Sequence, residues 1–367
     1  MSRARELAEL GAVYDSGALS NRNMIINGAM QVAQRATQVT GVNSAGYQSL
    51  DRMRYSETSI GTAEFTHEQV TDAPDGFANS LKFTCTTAEG AVNAGDACRA
   101  VEYRIEGQDA QQLQYGTSSA KKLTLSFHVK SSLTGTYTIA LYRNETQTRV
   151  ITATYTINSA NTWEYKTMTF DGDTSSVITN DNARRLQIYW VVGAGSNFTS
   201  TDSTSWINYS SAGFHYGQTA QFQNTLNATW QVTGIQLELG TEATPFEHRS
   251  YGDELMRCFR YFIRRNSPQD GYPGAIPGFH SSSGFFNGVT QFEVEMRTTP
   301  SLTTSGAFRG QGVADSSSAT GTCTIQNASS EAARLNCSGM SFSGTSGQYV
   351  HLQQTGGAGH VSFDAEL

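Results

Sequence analysis

Apolar and polar residues alternate along most of this chain with the two-residue period of β-strands. Leu123, Leu125, Phe127 and Val129 fall on one side of a run whose other side carries Thr124, Ser126, His128 and Lys130. A ribbon of that kind rests one face on a core and turns the other to water, as antiparallel sandwiches do. Read this way, the spacing predicts strands at 50–55, 62–70, 80–86, 98–105, 121–130, 135–142, 150–157, 164–170, 185–192 and 228–239, with a helical turn at 109–115. In the last strand Val232, Ile235, Leu237 and Leu239 point inward, Gln236 and Glu238 take the opposite face, and Pro245 stops the run.

Helical spacing is confined to short stretches. Residues 2–14 read as a helix with Ser2 as N-cap and Leu7, Leu10 and Tyr14 on one stripe. An isolated helix of this length is marginal, so it is expected either to dock on a partner surface or to fray. Ser250 and Asp253 have capping-box spacing, with Asp in place of Glu or Gln, and open a helix expected to reach about Arg265 with Leu255, Phe259 and Phe262 on one side. Past Pro268 the chain turns Gly- and Ser-rich, with turns at 271–274 and 276–278 and strands predicted at 285–289, 292–296, 319–326, 334–337, 348–353 and 360–365. Apolar content is thin there, and the expectation is a small β-unit that buries surface against copies of itself.

Length and composition suit this reading. A chain of 367 residues with 35 Gly, 6 Pro and only 16% charged residues is rich in turns and long enough for two folded units. Its formal net charge of −7 argues against nucleic acid as a partner. Only Lys82, Lys121, Lys122, Lys130 and Lys166 are lysines among 25 basic residues, and arginine tolerates burial in an interface better, which tilts the reading toward an oligomer. No apolar run approaches the roughly 20 residues that span a bilayer. Met1 to Leu10 carries charges where a secretory peptide would be apolar, so folding in a cytoplasm is expected. Cys85, Cys98, Cys258, Cys323 and Cys337 lack metal-site spacing and read as small core hydrophobes, with a Cys323–Cys337 disulfide as the alternative.

Catalytic signatures are missing: the sequence contains no Gly-x-Ser-x-Gly, phosphate-cradling Gly-x-x-x-x-Gly-Lys, His-Glu-x-x-His or dinucleotide glycine motif. His67, His128, His215, His248, His280, His351 and His360 have no metal-converging spacing and read as polar surface or strand residues. Glycoside cleavage needs only two carboxylates, and Asp51, Glu64, Asp96 and Glu102 can be named, but nothing singles out a pair and they read as solvated strand and turn acids. Asp171, Asp173 and Asp202 could hold a structural calcium ion, although turn chemistry explains them as well. Trp206, Tyr209, Phe214 and Tyr216 cluster among Asn208, Gln218 and Gln221, a mixture suited to the apolar face and hydroxyls of a sugar. The alternative is packing beneath a long loop or against a neighbouring subunit. Trp163, Trp190 and Trp230 lie in alternating strands and are expected in the core.

The stretches TGIQLELG and ATPFEHRSYGDEL (233–240 and 243–255), together with NRNMIINGAMQVAQR (21–35), resemble tail-fibre and related virion proteins of tailed bacteriophages; the ending 361–367 looks like theirs too. The resemblance implies an all-β protein: an antiparallel jelly-roll β-sandwich like those of carbohydrate-binding modules at 23–249, a virion-attachment arm at 1–22, a linker helix at 250–266 and a C-terminal β domain at 267–367. Carried onto this chain, Arg3, Arg5, Leu7, Leu10 and Tyr14 would attach to other virion proteins, the chain would form a homotrimer, and the outer parts would meet a host-surface glycan or receptor. It implies a virion protein assembled in a bacterial host cytoplasm, a tail fibre or short fibre. Neither enzymatic activity, membrane insertion nor a cofactor is expected, calcium being the open exception. The alternatives are a purely structural capsid or tail decoration protein, a tailspike depolymerase, and a secreted carbohydrate-binding module, the last weakened by the missing export signal.

Overall fold

The computed structural model describes residues 3, 21–266, 276–282, 284–312, 316–317, 322–339, 341–342 and 346–367. They form two units, residues 1–254 with Leu367 and residues 255–366. Most of the expected N-terminal helix, including Arg5, Leu7, Leu10 and Tyr14, lies outside the described residues; Arg3 is helical and exposed.

Strands of the first unit are β1 (Gln38–Val42), β2 (Gly46–Tyr47), β3 (Arg54–Thr58), β4 (Glu64–Val70), β5 (Ser80–Thr87), β6 (Ala97–Glu106), β7 (Leu123–Ser131), β8 (Gly135–Arg143), β9 (Arg149–Ile157), β10 (Glu164–Phe170), β11 (Arg184–Ala194), β12 (Ile207–Asn208) and β13 (Thr229–Leu239). They build two antiparallel sheets, ordered β1-β4-β5-β13-β7-β10 and β12-β9-β8-β11-β6-β3-β2. This is a jelly-roll β-sandwich, closed by rings that meet across it. Phe127 on β7 stands 6.0 Å from Trp190 on β11 and 5.2 Å from Tyr155 on β9. Trp230 on β13 donates its indole N–H to the Tyr155 hydroxyl at 3.2 Å.

Several expectations need correction. Thr124 and Ser126 are buried, because the outer face of β7 is covered where Thr124 Oγ1 donates to the Gly240 carbonyl at 2.9 Å. Trp163 is half-buried, just before β10, with Lys130 Nζ 5.2 Å from its ring centroid; it is no core residue. Among the histidines, His67, His280 and His351 lie in strands as expected, though buried, and His215 is buried in a turn, neither surface nor strand. The strand expected at 50–55 begins at Arg54, since Leu50 and Met53 fill the core from a turn. The short β1, β2 and β12 offered too little alternation to be read.

The two stretches that carried the resemblance turn out to hold each other. Strand β13 has a register shift between Thr233 and Gln236, with Gly234 at φ +62°. That bulge frees the backbone of Ile235 for residues 21–35. Ile235 N–H donates to the Gly28 carbonyl at 3.0 Å, Asn23 Nδ2 donates to the Ile235 carbonyl at 3.0 Å, and Leu237 N–H donates to Asn23 Oδ1 at 3.1 Å. A Cβ on Gly28 would lie 2.2 Å from the Ile235 oxygen, so only glycine fits. Glu247 accepts from Asn23 N–H at 2.8 Å, and Arg249 Nη1 donates to the Ile25 carbonyl at 3.0 Å. The shared phrases thus form a clasp that seals the sandwich.

Short helices are α1 (Ser196–Thr199) and α2 (Tyr251–Phe259). Ser250 caps α2 as expected: Asp253 N–H donates to Ser250 Oγ at 3.2 Å, while the Asp253 carboxylate accepts from the Ser250 hydroxyl at 2.7 Å rather than from its backbone N–H. Ser250→Ala should cost about 1 kcal/mol, seen as a lower urea midpoint for the intact chain; an unchanged midpoint would dismiss the cap. Contrary to expectation, α2 ends at Phe259 rather than near Arg265. Tyr261, Phe262 and Ile263 are all buried, which three successive residues on an amphipathic helix cannot be.

In the second unit the strands are β14 (Phe262–Asn266), β15 (Ile276–Ser282), β16 (Phe285–Gln291), β17 (Ser301–Gly312), β18 (Ser316–Ser317), β19 (Thr322–Ala328), β20 (Ala332–Ser338), β21 (Ser341–Phe342) and β22 (Tyr349–Asp364). Six follow the order β14-β22-β15-β16-β20-β19, with β17 along β22. Ile276-Pro277-Gly278 is strand rather than turn, 292–296 is not strand, and the two strands expected at 348–353 and 360–365 are one. Phe286, Leu335, Val350 and Phe363 are fully buried in a core of its own. Cys323 and Cys337, opposite each other on β19 and β20, form a disulfide, while Cys85, Cys98 and Cys258 are buried.

Candidate functional site

The seven-stranded sheet of the first unit has an outer face that its own chain half covers. Residues 196–222 lie over it, pressing Phe198 and Phe214 onto Ala97, Ala140, Val150 and Val191. Thr138 N–H donates to Gln218 Oε1 at 2.8 Å and Thr138 Oγ1 to the Tyr216 carbonyl at 3.0 Å. Beneath this cover Arg99 is buried. Its Nε donates to His215 Nε2 at 2.9 Å, and His215 Nδ1 donates to the Phe214 carbonyl at 2.6 Å. Burial, with the Arg99 charge, holds His215 well below the usual imidazole range, so the ring is neutral and can accept from the guanidinium.

The uncovered part of the face is a cleft of about 350 Å³. Antiparallel register composes it in two rows: Arg54, Glu102 and Tyr189 face one another across β3, β6 and β11, and Arg104, Gln187 and Tyr142 across β6, β11 and β8. Ala140 lies next to Tyr189 in the first row, and its small side chain leaves room for the aromatic corner. There Tyr209 meets Tyr142 edge to face at 5.2 Å and Phe214 at 5.3 Å, and Phe214 meets Tyr189 at 5.1 Å. Tyr209 is 39% exposed while Phe214 is 7% exposed, so Tyr209 offers a ring to solvent and Phe214 backs it.

Glu102 sits between two cations. Arg104 Nε donates to its Oε1 and Arg54 Nη1 to its Oε2. Burial alone would raise its pKa, but Arg104 and Arg54 more than reverse this and hold the carboxyl below the usual range. Tyr189 donates to Gln187 Oε1 at 2.8 Å, and burial, with the Glu102 charge, raises its phenol so that it keeps its proton. The cleft therefore presents fixed donors, amides and rings, with the Glu57 carboxylate also in its lining.

Of the four aromatic residues singled out in the sequence, Tyr209 and Phe214 line this cleft. Trp206 faces elsewhere: its indole N–H donates to the Asp171 carbonyl at 2.6 Å and its ring lies 5.9 Å from Tyr115. Tyr216 is half-buried in the covering segment. Arg54, Arg104, Tyr142, Gln187 and Tyr189 were not foreseen. The alternation Glu102, Arg104 against Tyr103, Ile105 on β6 was the available signal, since it puts two charges on one face of a strand deep in the fold.

The candidate carboxylates are dispersed. Asp51 accepts from Gln34 N–H at 3.0 Å, Glu64 from Thr87 Oγ1 at 3.3 Å, and Asp96 accepts from Asn93 N–H. Asp96 also adjoins Glu89, whose buried carboxyl is pushed up to about 7 by burial and then by Asp96. The calcium candidates do not converge either, and no group of three or more His, Cys, Asp or Glu among the described residues could hold a metal ion. Asp173 is paired with Arg143 and Arg149, Asp171 lies 2.7 Å from Lys122 Nζ, and Asp202 accepts from Thr204 N–H at 2.8 Å.

No protein-family model matches the sequence, and no curated protein does. Some solved structures are similar in shape. One is the enzymatically active domain of tailspike protein 4 of bacteriophage CBA120, at 12% identity and TM-score 0.31, covering 60% of this chain and 22% of that one. Another is a family 11 carbohydrate-binding module of a Clostridium thermocellum cellulosomal cellulase, at 12% identity and TM-score 0.28, covering 62% of this chain and all (100%) of that one. A third is a xylan-binding domain from Paenibacillus barcinonensis, at 8% identity and TM-score 0.28, covering 61% of this chain and 100% of that one. Scores this low carry no argument about function, and the fold rests on the sheets described above.

Proposed function

We propose that the first unit binds a glycan in the cleft between Arg54 and Tyr209, and that the chain is a non-enzymatic bacteriophage fibre that attaches the particle to a host surface. The observation that carries the binding reading is the exposed ring of Tyr209, set at a corner with Tyr142 and Phe214 above a floor of Gln187, Glu102 and Arg104. A sugar stacks its C–H face on such a ring while its hydroxyls meet the amides and guanidinium groups. The phage assignment rests on the resemblance of residues 21–35 and 233–255, and with it come the attachment arm at 1–22, assembly in a bacterial cytoplasm and residence in the virion. A homotrimer fits the second unit, where Phe279, Val289 and Tyr349 are exposed around one shallow groove of about 550 Å³.

Titration of the intact protein with polysaccharide from the host envelope is the direct test. Tyr209→Ala should weaken binding about tenfold, the worth of one stacked ring near 1.4 kcal/mol. No affinity in the parent protein would leave a purely structural decoration protein, and release of reducing sugar would make it a depolymerase. A native mass of one chain would remove the trimer.

A further inference from the structure

We infer that the cleft selects an acidic glycan, one whose sugars carry a carboxylate, and binds that carboxylate at the Arg184 end, since the guanidinium of Arg104 is taken by Glu102 and the Leu367 carbonyl. This rests on the reading of the cleft as a glycan site and adds the ligand class.

The chain as a whole is acidic, at −7, yet the cleft is lined by Arg54, Arg104 and Arg184 against Glu57 and Glu102, with the Glu106 carboxylate buried opposite Arg184 and withdrawn from the surface. Those charges are ordered along the strands. Glu57 lies opposite Cys98 at one end of β6, and Arg184 opposite Glu106 at the other. Glu102 is occupied from both sides by Arg54 and Arg104, so its charge is spent within the fold. Glu106 at the positive end is buried and accepts from Gln108 Nε2 at 2.9 Å.

Arg184 differs from the other two arginines. It is exposed, and its guanidinium makes no hydrogen bond or ion pair among the described residues. Arg54 gives only Nη1 to Glu102, and its other N–H groups have no partner among the described residues. Guanidinium groups match carboxylates with paired donors, and ones already held in place by Glu102 lose little freedom on binding. A neutral sugar could meet the cation at the rim only through hydroxyl oxygens and would leave its charge uncompensated. An anionic one would be repelled at the Glu57 end and drawn to the Arg184 end, which fixes its direction in the cleft.

Calorimetry on the full chain with tetragalacturonate and with cellotetraose tests this, with poly-glutamate as a competitor. Tetragalacturonate should bind about tenfold more tightly than cellotetraose, and Arg184→Gln should remove most of that preference by weakening tetragalacturonate far more than cellotetraose. Equal or tighter binding of cellotetraose overturns the acidic class and leaves the glycan site standing. Displacement of tetragalacturonate by poly-glutamate at equal charge would reduce the effect to bulk attraction and also overturn it. If neither sugar binds at millimolar concentration, the site and the inference fall together.

Discussion

Asp173→Ala should destabilise the first unit by about 3–5 kcal/mol, because it strands a buried cation. The Asp173 carboxylate meets Arg143, whose side chain is 0% exposed, and lies 3.3 Å from Arg149 Nε. Its Oδ1 also accepts from Ser175 N–H at 3.0 Å, and the Arg143 guanidinium lies 5.3 Å from the Tyr115 ring centroid. Without the carboxylate, Arg143 keeps its charge in a place water does not reach. Replacing both partners together, as Arg143→Met with Asp173→Leu, should cost much less than the single change, since the fully buried cation is gone and Arg149 keeps Asn208 and the Trp206 carbonyl as acceptors. Urea unfolding of the parent and of both variants measures this. A loss under about 1 kcal/mol for Asp173→Ala, the scale of an exposed pair, would mean that solvent screens the site.

Acid should be the second large perturbation. Burial pulls His67 down to about 3, so its ring stays neutral in the fold while the unfolded chain takes up a proton below about 6.5. With the folded pKa depressed, its contribution is complete above 6.5 and is lost as pH falls toward 3, at about 1.4 kcal/mol per pH unit. His215 acts in the same direction, and the half-buried His128 adds to it. Glu89 opposes them: its pKa is raised to about 7, so its contribution is complete below the ordinary carboxylate range and is lost as pH rises through 7. His67→Gln should therefore flatten the dependence of stability on pH between 6.5 and 4.5 by about 1.4 kcal/mol per unit. Urea midpoints at three pH values in that window decide it, and a variant as steep as the parent would contradict a neutral, buried His67.

Much of the sandwich could be read before its structure because the strands obey alternation. The runs at 135–142, 150–157 and 164–170 lie within β8, β9 and β10. Reading failed where two elements of different period share an apolar stretch. Tyr261-Phe262-Ile263 continued the pattern of α2 well enough to pass for helix, and only its pairing with the strand end at Asp364 makes it β14. Pro277 suggested a turn but sits in β15 opposite His351. The step of three from Val232 to Ile235 did carry a message, since two inward residues an odd distance apart require a bulge.

The candidate cleft was half legible. Tyr209 and Phe214 follow from aromatic clustering in a polar segment, because such rings must either cover something or meet a ligand. Phe214 does the first and Tyr209 is placed for the second. Trp206 shows the limit of that reasoning, for a neighbour three residues away in sequence points to Asp171 and Tyr115 instead. Arg54, Glu102 and Tyr189 come from three strands, and their meeting is a matter of register that no local pattern encodes.

The clasp between Asn23 and Leu237 joins positions 214 residues apart. During synthesis, the early stretch therefore waits for nearly the whole unit to emerge before its backbone groups find their partners, and a nascent chain cut short of Leu237 carries a seam that cannot close. Any fusion or truncation that keeps one half of the seam without the other inherits an open flank, so the boundaries of a usable recombinant fragment are set by this pair.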